Sequence, residues 1–200
     1  MIEADHPALL IVDLQNDFCP GGALPVADGD RILPPVNRLA AQAAVLGLPV
    51  YASRDWHPAD SRHFAVHGGP WPVHCVAGTA GARLHPDLAL PSGAMIVTKG
   101  STREEHGYSA FEGRVAGRGL LLEDLRARGV DHLVVCGLAT DYCVRASVLD
   151  ARAHGLGVTV VEDAIRAVDV TQGDGTRALA EMRQAGATLT PAADVFTRSS

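Results

Sequence analysis

Residues 132–155, HLVVCGLATDYCVRASVLDARAHG, change period partway along, and that change constrains the fold more than any other feature. Leu133, Val134 and Val135, closed by Cys136 and Gly137, form a short β-branched apolar run of the kind that makes a buried strand. After a turn through Leu138, Ala139, Thr140 and Asp141, the apolar residues Val144, Val148 and Ala151 recur at helical spacing, and Gly155 supplies a stop. Thr140 or Asp141 is expected to cap this helix, with Cys143 in its first turn. Unpaired N–H groups and the positive dipole end at such a place predict a thiol biased toward thiolate.

The strand-turn-helix unit is repeated along the chain. Residues 7–13 (PALLIVD) form an unbroken apolar run, the pattern of a parallel strand covered on both faces. A helix is predicted from near Asp28 or Asp30 to Gly47, with Pro34 and Pro35 early and Val36, Leu39, Ala40 and Ala43 as its buried stripe. Further strands are predicted at 49–54, 94–98, 132–137, 157–161 and 187–190. Helices are expected around Leu121, Leu122 and Leu125 up to Gly129, and around Ala178, Leu179 and Met182 between Thr171 and Gly186. Alternation of this kind predicts a three-layer, Rossmann-like α/β fold: a mostly parallel six-stranded sheet with helices on both faces. The chain, residues 1–200, reads as one domain with a loop-rich insertion at about 54–93. That insertion carries His57, His63, His67, His74 and His85, and structureless segments of such length are usually functional.

Composition removes several classes of function. A net charge of −6 leaves no basic footprint for nucleic acid. No apolar run is long enough to span a bilayer, and the opening MIEADHPALLIVDLQ reads as a first strand instead of a signal peptide. Four cysteines at irregular spacings suit a reduced, cytoplasmic protein better than a disulfide framework.

Open parallel sheets bind ligands beyond the carboxyl ends of their strands. Those ends hold Asp13, Asp55, Lys99 and, just past the fourth strand, Cys143. Each has an ordinary explanation alone; together they suit acyl transfer. Cys143 would be the nucleophile, Asp13 the group that takes and returns its proton, and Lys99 the ammonium that holds charge in place. Backbone N–H groups of Ala139 and Cys143 can face the oxyanion. In the insertion, Asp55 and His57 stand two residues apart, with His74 as a third and His63 as a fourth candidate ligand. Imidazole plus carboxylate suits one divalent ion, Zn2+ first and Fe2+ or Mn2+ as alternatives. Cys75 beside His74 offers a sulfur-containing alternative.

Taken in order, Asp13–Phe18 (DLQNDF), Asp55-Trp56-His57, Trp71–Cys75 (WPVHC), Lys99-Gly100, Tyr108–Gly113 (YSAFEG) and Gly137–Val144 (GLATDYCV) resemble the nicotinamidase/pyrazinamidase group of the isochorismatase-like cysteine hydrolases. The resemblance covers nearly the whole chain. It implies deamidation of nicotinamide through a cysteine thioester, an Asp13-Lys99-Cys143 triad and a cis peptide at Leu138-Ala139. It implies a metal on Asp55, His57 and His74, with His63 standing where some members have a fourth ligand, and with the ion holding the substrate's ring nitrogen. Phe18, Trp71, Tyr108, Leu138 and Ala139 are expected to line the substrate pocket. The charged stretch 101–107 (STREEHG) departs from what an apolar ring pocket would be expected to adjoin. The partner implied is a small-molecule amide, with homo-oligomer formation left open. Rival readings are a metal-independent amidase of N-carbamoyl or ureido substrates, a non-catalytic binding protein on the same fold, and a structural zinc protein.

Overall fold

The computed structural model describes residues 4–196. Its regular elements, in chain order, are β1 (Pro7–Val12), α1 (Leu33–Val45), β2 (Val50–Asp55), β3 (Met95–Lys99), β4 (Arg114–Val115), β5 (Gly119–Leu120), α2 (Leu121–Ala127), β6 (His132–Leu138), α3 (Arg145–Ala153), β7 (Gly157–Arg166), α4 (Asp174–Gln184), β8 (Thr188–Thr190) and α5 (Ala192–Val195). One sheet runs in the order β5-β4-β3-β2-β1-β6-β7-β8. From β3 to β8 every pairing is parallel; β4 and β5 add an antiparallel edge.

The unbroken apolar run of β1 now has its reason. Side chains alternate across a strand, and both faces of this one are covered. Leu9 and Ile11 pack with Val36, Leu39, Ala40 and Ala43 of α1 and with Ala192 and Val195 of α5. Ala8, Leu10 and Val12 pack on the other face with Leu125 of α2, Val148 and Ala151 of α3, and Met182 of α4. Burying a side chain of Leu or Ile size contributes about 1.5–3 kcal/mol, so this central strand anchors both layers. Beside it, Gly137 faces Val12 with φ +115°, and a Cβ there would lie 2.0 Å from the Val12 carbonyl oxygen. Only glycine allows β6 to approach β1 so closely.

The chain winds from β1 through β2 to β3 in one direction and from β6 through β7 to β8 in the other. The reversal between β1 and β6 is the topological switch point at which such sheets open a crevice.

Several expectations need correction. The sheet has eight strands, not six: β4 and β5, two residues each, come from the stretch 114–120, to which the sequence pattern assigns no element, because pairs this short leave no alternation to detect. β7 does not stop at Val161 but runs through the exposed Glu162 and Asp163 to Arg166. A register shift in the β6–β7 pairing lets Ile165 and Arg166 pair with Gly137 and Leu138. The helix expected from Asp28 or Asp30 begins as a 3-10 turn over Gly29–Ile32, and α1 starts at Leu33 with both prolines in its first turn. The four-residue α5 was missed.

Between Asp55 and Met95 the backbone holds one 3-10 turn, Ala65–His67, and isolated bridges such as His57 to Val76. Side chains pin it instead. Asp17 accepts the Cys75 N–H at 2.7 Å, and buried Gln15 donates to the carbonyls of Asp55 and Ala82, each at 2.9 Å. Among the described residues no helix is long and apolar enough to cross a membrane. The signal-peptide reading rests partly on residues 1–3, which lie outside the described residues.

Candidate active site

The strand ends converge as the pattern of the chain required. Asp13 follows β1 with φ +44°, Asp55 and Lys99 are the paired last residues of β2 and β3, and Cys143 lies in the turn after β6. The Lys99 ammonium, fully buried, joins them. Its Nζ lies 2.7 Å from Asp13 Oδ2, 2.5 Å from Asp55 Oδ1 and 3.6 Å from Cys143 Sγ, and it donates to the Gly107 carbonyl. Ser53, which the sequence reading missed, donates its hydroxyl to Asp13 Oδ1 at 2.7 Å.

Burial and charge set the protonation of this cluster. Burial pushes Asp13 up, Lys99 pulls it back, and the carboxyl settles at about 6. For Asp55 burial also pushes up, but the Lys99 ammonium wins and holds it below the usual carboxylate range. Burial would strip the proton from Lys99; the two carboxylates keep it well above its ordinary value. The Cys143 thiol is raised well above its ordinary value by burial, with Lys99 opposing and Asp13 and Asp55 reinforcing the rise.

The expectation of a resting thiolate is therefore wrong. Burial, reinforced by two carboxylates, outweighs a helix start. The helix start itself also differs. Residues Thr140–Val144 wind as a wide π-type turn, and α3 begins only at Arg145. Ala139 occupies the cap position, and no side chain caps it. Asp141 points elsewhere, accepting the N–H groups of Val168 and Asp169, each at 2.9 Å.

Against this cluster lie three buried histidines. His57, His63 and His74 bring nitrogens within 4.8 Å of one another. His57 Nδ1 stands 3.1 Å from the Gly100 carbonyl, and His74 Nδ1 stands 2.7 Å from that of Pro72. Each contact requires a proton on Nδ1, so that in a neutral ring Nε2 carries the lone pair. His57 Nε2 is buried without a hydrogen-bond partner and lies 3.6 Å from Asp55 Oδ2. Burial holds His74 below its ordinary value and brings His63 down to about 3, so both rings stay neutral. Neutral imidazoles with lone pairs aimed together beside a carboxylate form a donor set that fits a divalent cation.

Between the two clusters opens a cavity of about 400 Å3, counted with its mouth. All five expected lining residues, Phe18, Trp71, Tyr108, Leu138 and Ala139, border it, as do Asp55, His63, His74 and Cys143. The Leu138–Ala139 peptide is cis. Trp71 donates its indole N–H to the Tyr108 hydroxyl at 2.9 Å. Tyr142 completes this aromatic wall, edge-on to Trp71 at 4.8 Å and parallel to Tyr108 at 6.2 Å. It was missed, together with Leu24, Val26 and Val168; its place beside Cys143 was the available signal. The charged stretch 101–107 meets the site only at its end, where His106 Nδ1 stands 3.4 Å from His63 Nδ1 and Gly107 lends its carbonyl to Lys99. Ser101, Thr102, Arg103 and Glu104 are exposed, and only Gly107 is buried.

The isochorismatase domain family matches residues 7–194. The chain is 43% identical over 203 residues to the nicotinamidase of Escherichia coli, covering 94% of this chain and 95% of that one. It is 40% identical over 186 residues to the nicotinamidase/pyrazinamidase of Mycobacterium tuberculosis, covering 91% and 97%. A solved structure of the pyrazinamidase of Pyrococcus horikoshii in complex with zinc superposes with a TM-score of 0.86 at 42% identity, covering 94% of this chain and 99% of that one.

Proposed function

Because the chain belongs to the isochorismatase domain family, we infer that it is a nicotinamidase, an amidohydrolase that converts nicotinamide to nicotinate and ammonia and accepts pyrazinamide as well. The observation that carries this reading is Lys99, whose buried ammonium sits between Asp13, Asp55 and Cys143, the last two of which border an aromatic cavity.

The geometry gives each residue a task. Lys99 keeps Asp13 ionised and oriented, so that near neutral pH its carboxylate takes the Cys143 proton as the sulfur attacks the amide carbon. The oxygen that gains charge faces the backbone N–H groups of Ala139 and Cys143. Collapse breaks the C–N bond, Asp13 returns the proton to the departing nitrogen, and ammonia leaves a thioester on Cys143. Water then attacks, Asp13 takes its proton, and the acid departs as sulfur recovers a proton. A thiol that rests neutral suits this sequence, since its proton is the one later delivered to nitrogen.

His57, His63 and His74, with Asp55 Oδ2 3.6 Å from His57 Nε2, would hold the divalent ion; zinc is the first candidate, given the Pyrococcus complex. Such an ion supplies a Lewis-acid point for a ring-nitrogen lone pair. Phe18, Trp71, Tyr108, Leu138 and Ala139 enclose the flat ring. Four buried free cysteines fit a reducing, cytoplasmic setting. An amidase of N-carbamoyl substrates would have no use for the bare His57 Nε2. The test is ammonia release from nicotinamide by the full chain: rapid turnover that thiol alkylation abolishes is expected, and no release with metal supplied would overturn the reading.

A further inference from the structure

We propose that Asp141 sets the shape of the substrate cavity, acting through Val168. The proposal rests on the nicotinamidase reading for its choice of substrates. Asp141 lies two residues before Cys143 and is 9% exposed. Its two carboxylate oxygens are divided between adjacent backbone groups: Oδ1 accepts the Val168 N–H and Oδ2 the Asp169 N–H, both at 2.9 Å. Charge-assisted bonds of this kind are about twice as strong as neutral ones.

The segment held this way has little other support from the sheet. β7 ends at Arg166, and the next regular element, α4, begins at Asp174. Val168 borders the cavity and packs against the core that contains Phe18, Val26, Leu138 and Ala139. Asp169 is strained, with φ +53°, and its own carboxylate passes the connection on to the Gly175 N–H of α4 at 2.7 Å. Gly175 closes tightly on this loop, since a Cβ there would lie 2.6 Å from Ala167 Cβ. One side chain therefore ties the turn carrying Cys143 to the apolar wall contributed by Val168. The distance between nucleophile and wall, and so the ring size admitted, is fixed by Asp141. Asp141 is a positioning residue; it borders no reacting atom.

The chemical consequence concerns substrate class. With Val168 held in place the cavity admits a bare pyridine or pyrazine carboxamide and excludes ring-methylated ones. Truncating either residue should open it.

The experiment compares Asp141→Ala, Asp141→Asn, Val168→Ala and the double alanine variant on nicotinamide and on ring-methylated nicotinamides. Asp141→Ala should raise KM for nicotinamide about 10-fold, the scale of a lost apolar contact, with kcat changed much less. Its relative kcat/KM for methylated rings should rise, Val168→Ala should match it, and the double variant should add little further. Asp141→Asn, which keeps one acceptor oxygen, should fall between. A uniform loss of kcat on all amides at unchanged KM would overturn the proposal and leave Asp141 a merely structural residue. Hydrogen exchange separates this from failure of the nicotinamidase reading: Asp141→Ala should accelerate exchange within residues 167–173 even if nicotinamide proves not to be the substrate. Unchanged exchange there would overturn the proposal on its own.

Discussion

The two sides of the cavity handle their polar atoms in opposite ways. On the lysine side every charge is matched: Asp13 faces Lys99 and Ser53, and Lys99 is shared among two carboxylates, a thiol and a carbonyl. On the histidine side one nitrogen of His57 and one of His74 is anchored to backbone, and the other nitrogen of His57 is buried without a partner. Asp55 belongs to both, with Oδ1 on Lys99 and Oδ2 toward His57. A closed network suits proton transfer, which needs fixed partners; an open one suits a ligand yet to arrive. The proposed division is that the lysine side breaks the amide while the histidine side reads the ring.

Removing the nucleophile is the strongest way to break the lysine side. Cys143→Ala should lower kcat on the order of 10^4-fold or more, with the thermal midpoint little changed, because Ala fits the same turn. A variant retaining a comparable rate would end the thioester mechanism.

Next in size are the partners of that thiol. Asp13→Asn should cost roughly 10^2–10^4-fold, the usual range for a proton shuttle. Lys99→Ala should match it in activity and should also destabilise the fold by about 3–5 kcal/mol, since two buried carboxylates lose their cation. The effects should not add, and a double variant much worse than either would show that the two act separately.

On the histidine side the expected loss is smaller and of another kind. His57→Ala, or chelation, should raise KM for nicotinamide up to ~10^2-fold while sparing much of kcat, since ring contacts and not bond breaking are lost. Steady-state kinetics unchanged by chelation would remove the metal from the account.

The mildest perturbation is pH. Asp13 takes a proton only when ionised, and its carboxyl sits at about 6. Lowering the pH through that value should reduce kcat/KM by about tenfold per unit, while raising it from 6 to 8 should bring the rate to a plateau. A plateau extending to pH 4.5 would show that Asp13 is not the base.

How much of this was legible follows from where the information lies. Asp13, Asp55 and Lys99 could be read because each ends an apolar run, and a parallel sheet sends such ends to one edge. The insertion announced itself by lacking any period. Properties created by packing were not legible. Cys143 looked like a thiolate because a helix start favours one; burial reverses this, reinforced by two carboxylates 130 and 88 residues away in sequence but within 4.8 Å in space. Asp141 looked like a cap, and its true partners, Val168 and Asp169, lie beyond a strand whose length depends on a register shift. Gln15 and Ser53 are polar residues whose buried roles appear only once the loop and sheet are assembled.

The division between the two sides is tested most directly by comparing kcat/KM for nicotinamide and benzamide, with metal supplied and after chelation. The two amides present the same bond to Cys143 and differ at the one ring atom assigned to the histidine side. With metal, nicotinamide should be favoured by up to ~10^4-fold, water at the ion softening the discrimination. After chelation the preference should shrink toward unity, with benzamide turnover itself little altered. Equal values for the two amides in the presence of metal would contradict the assignment of ring reading to Asp55, His57 and His74.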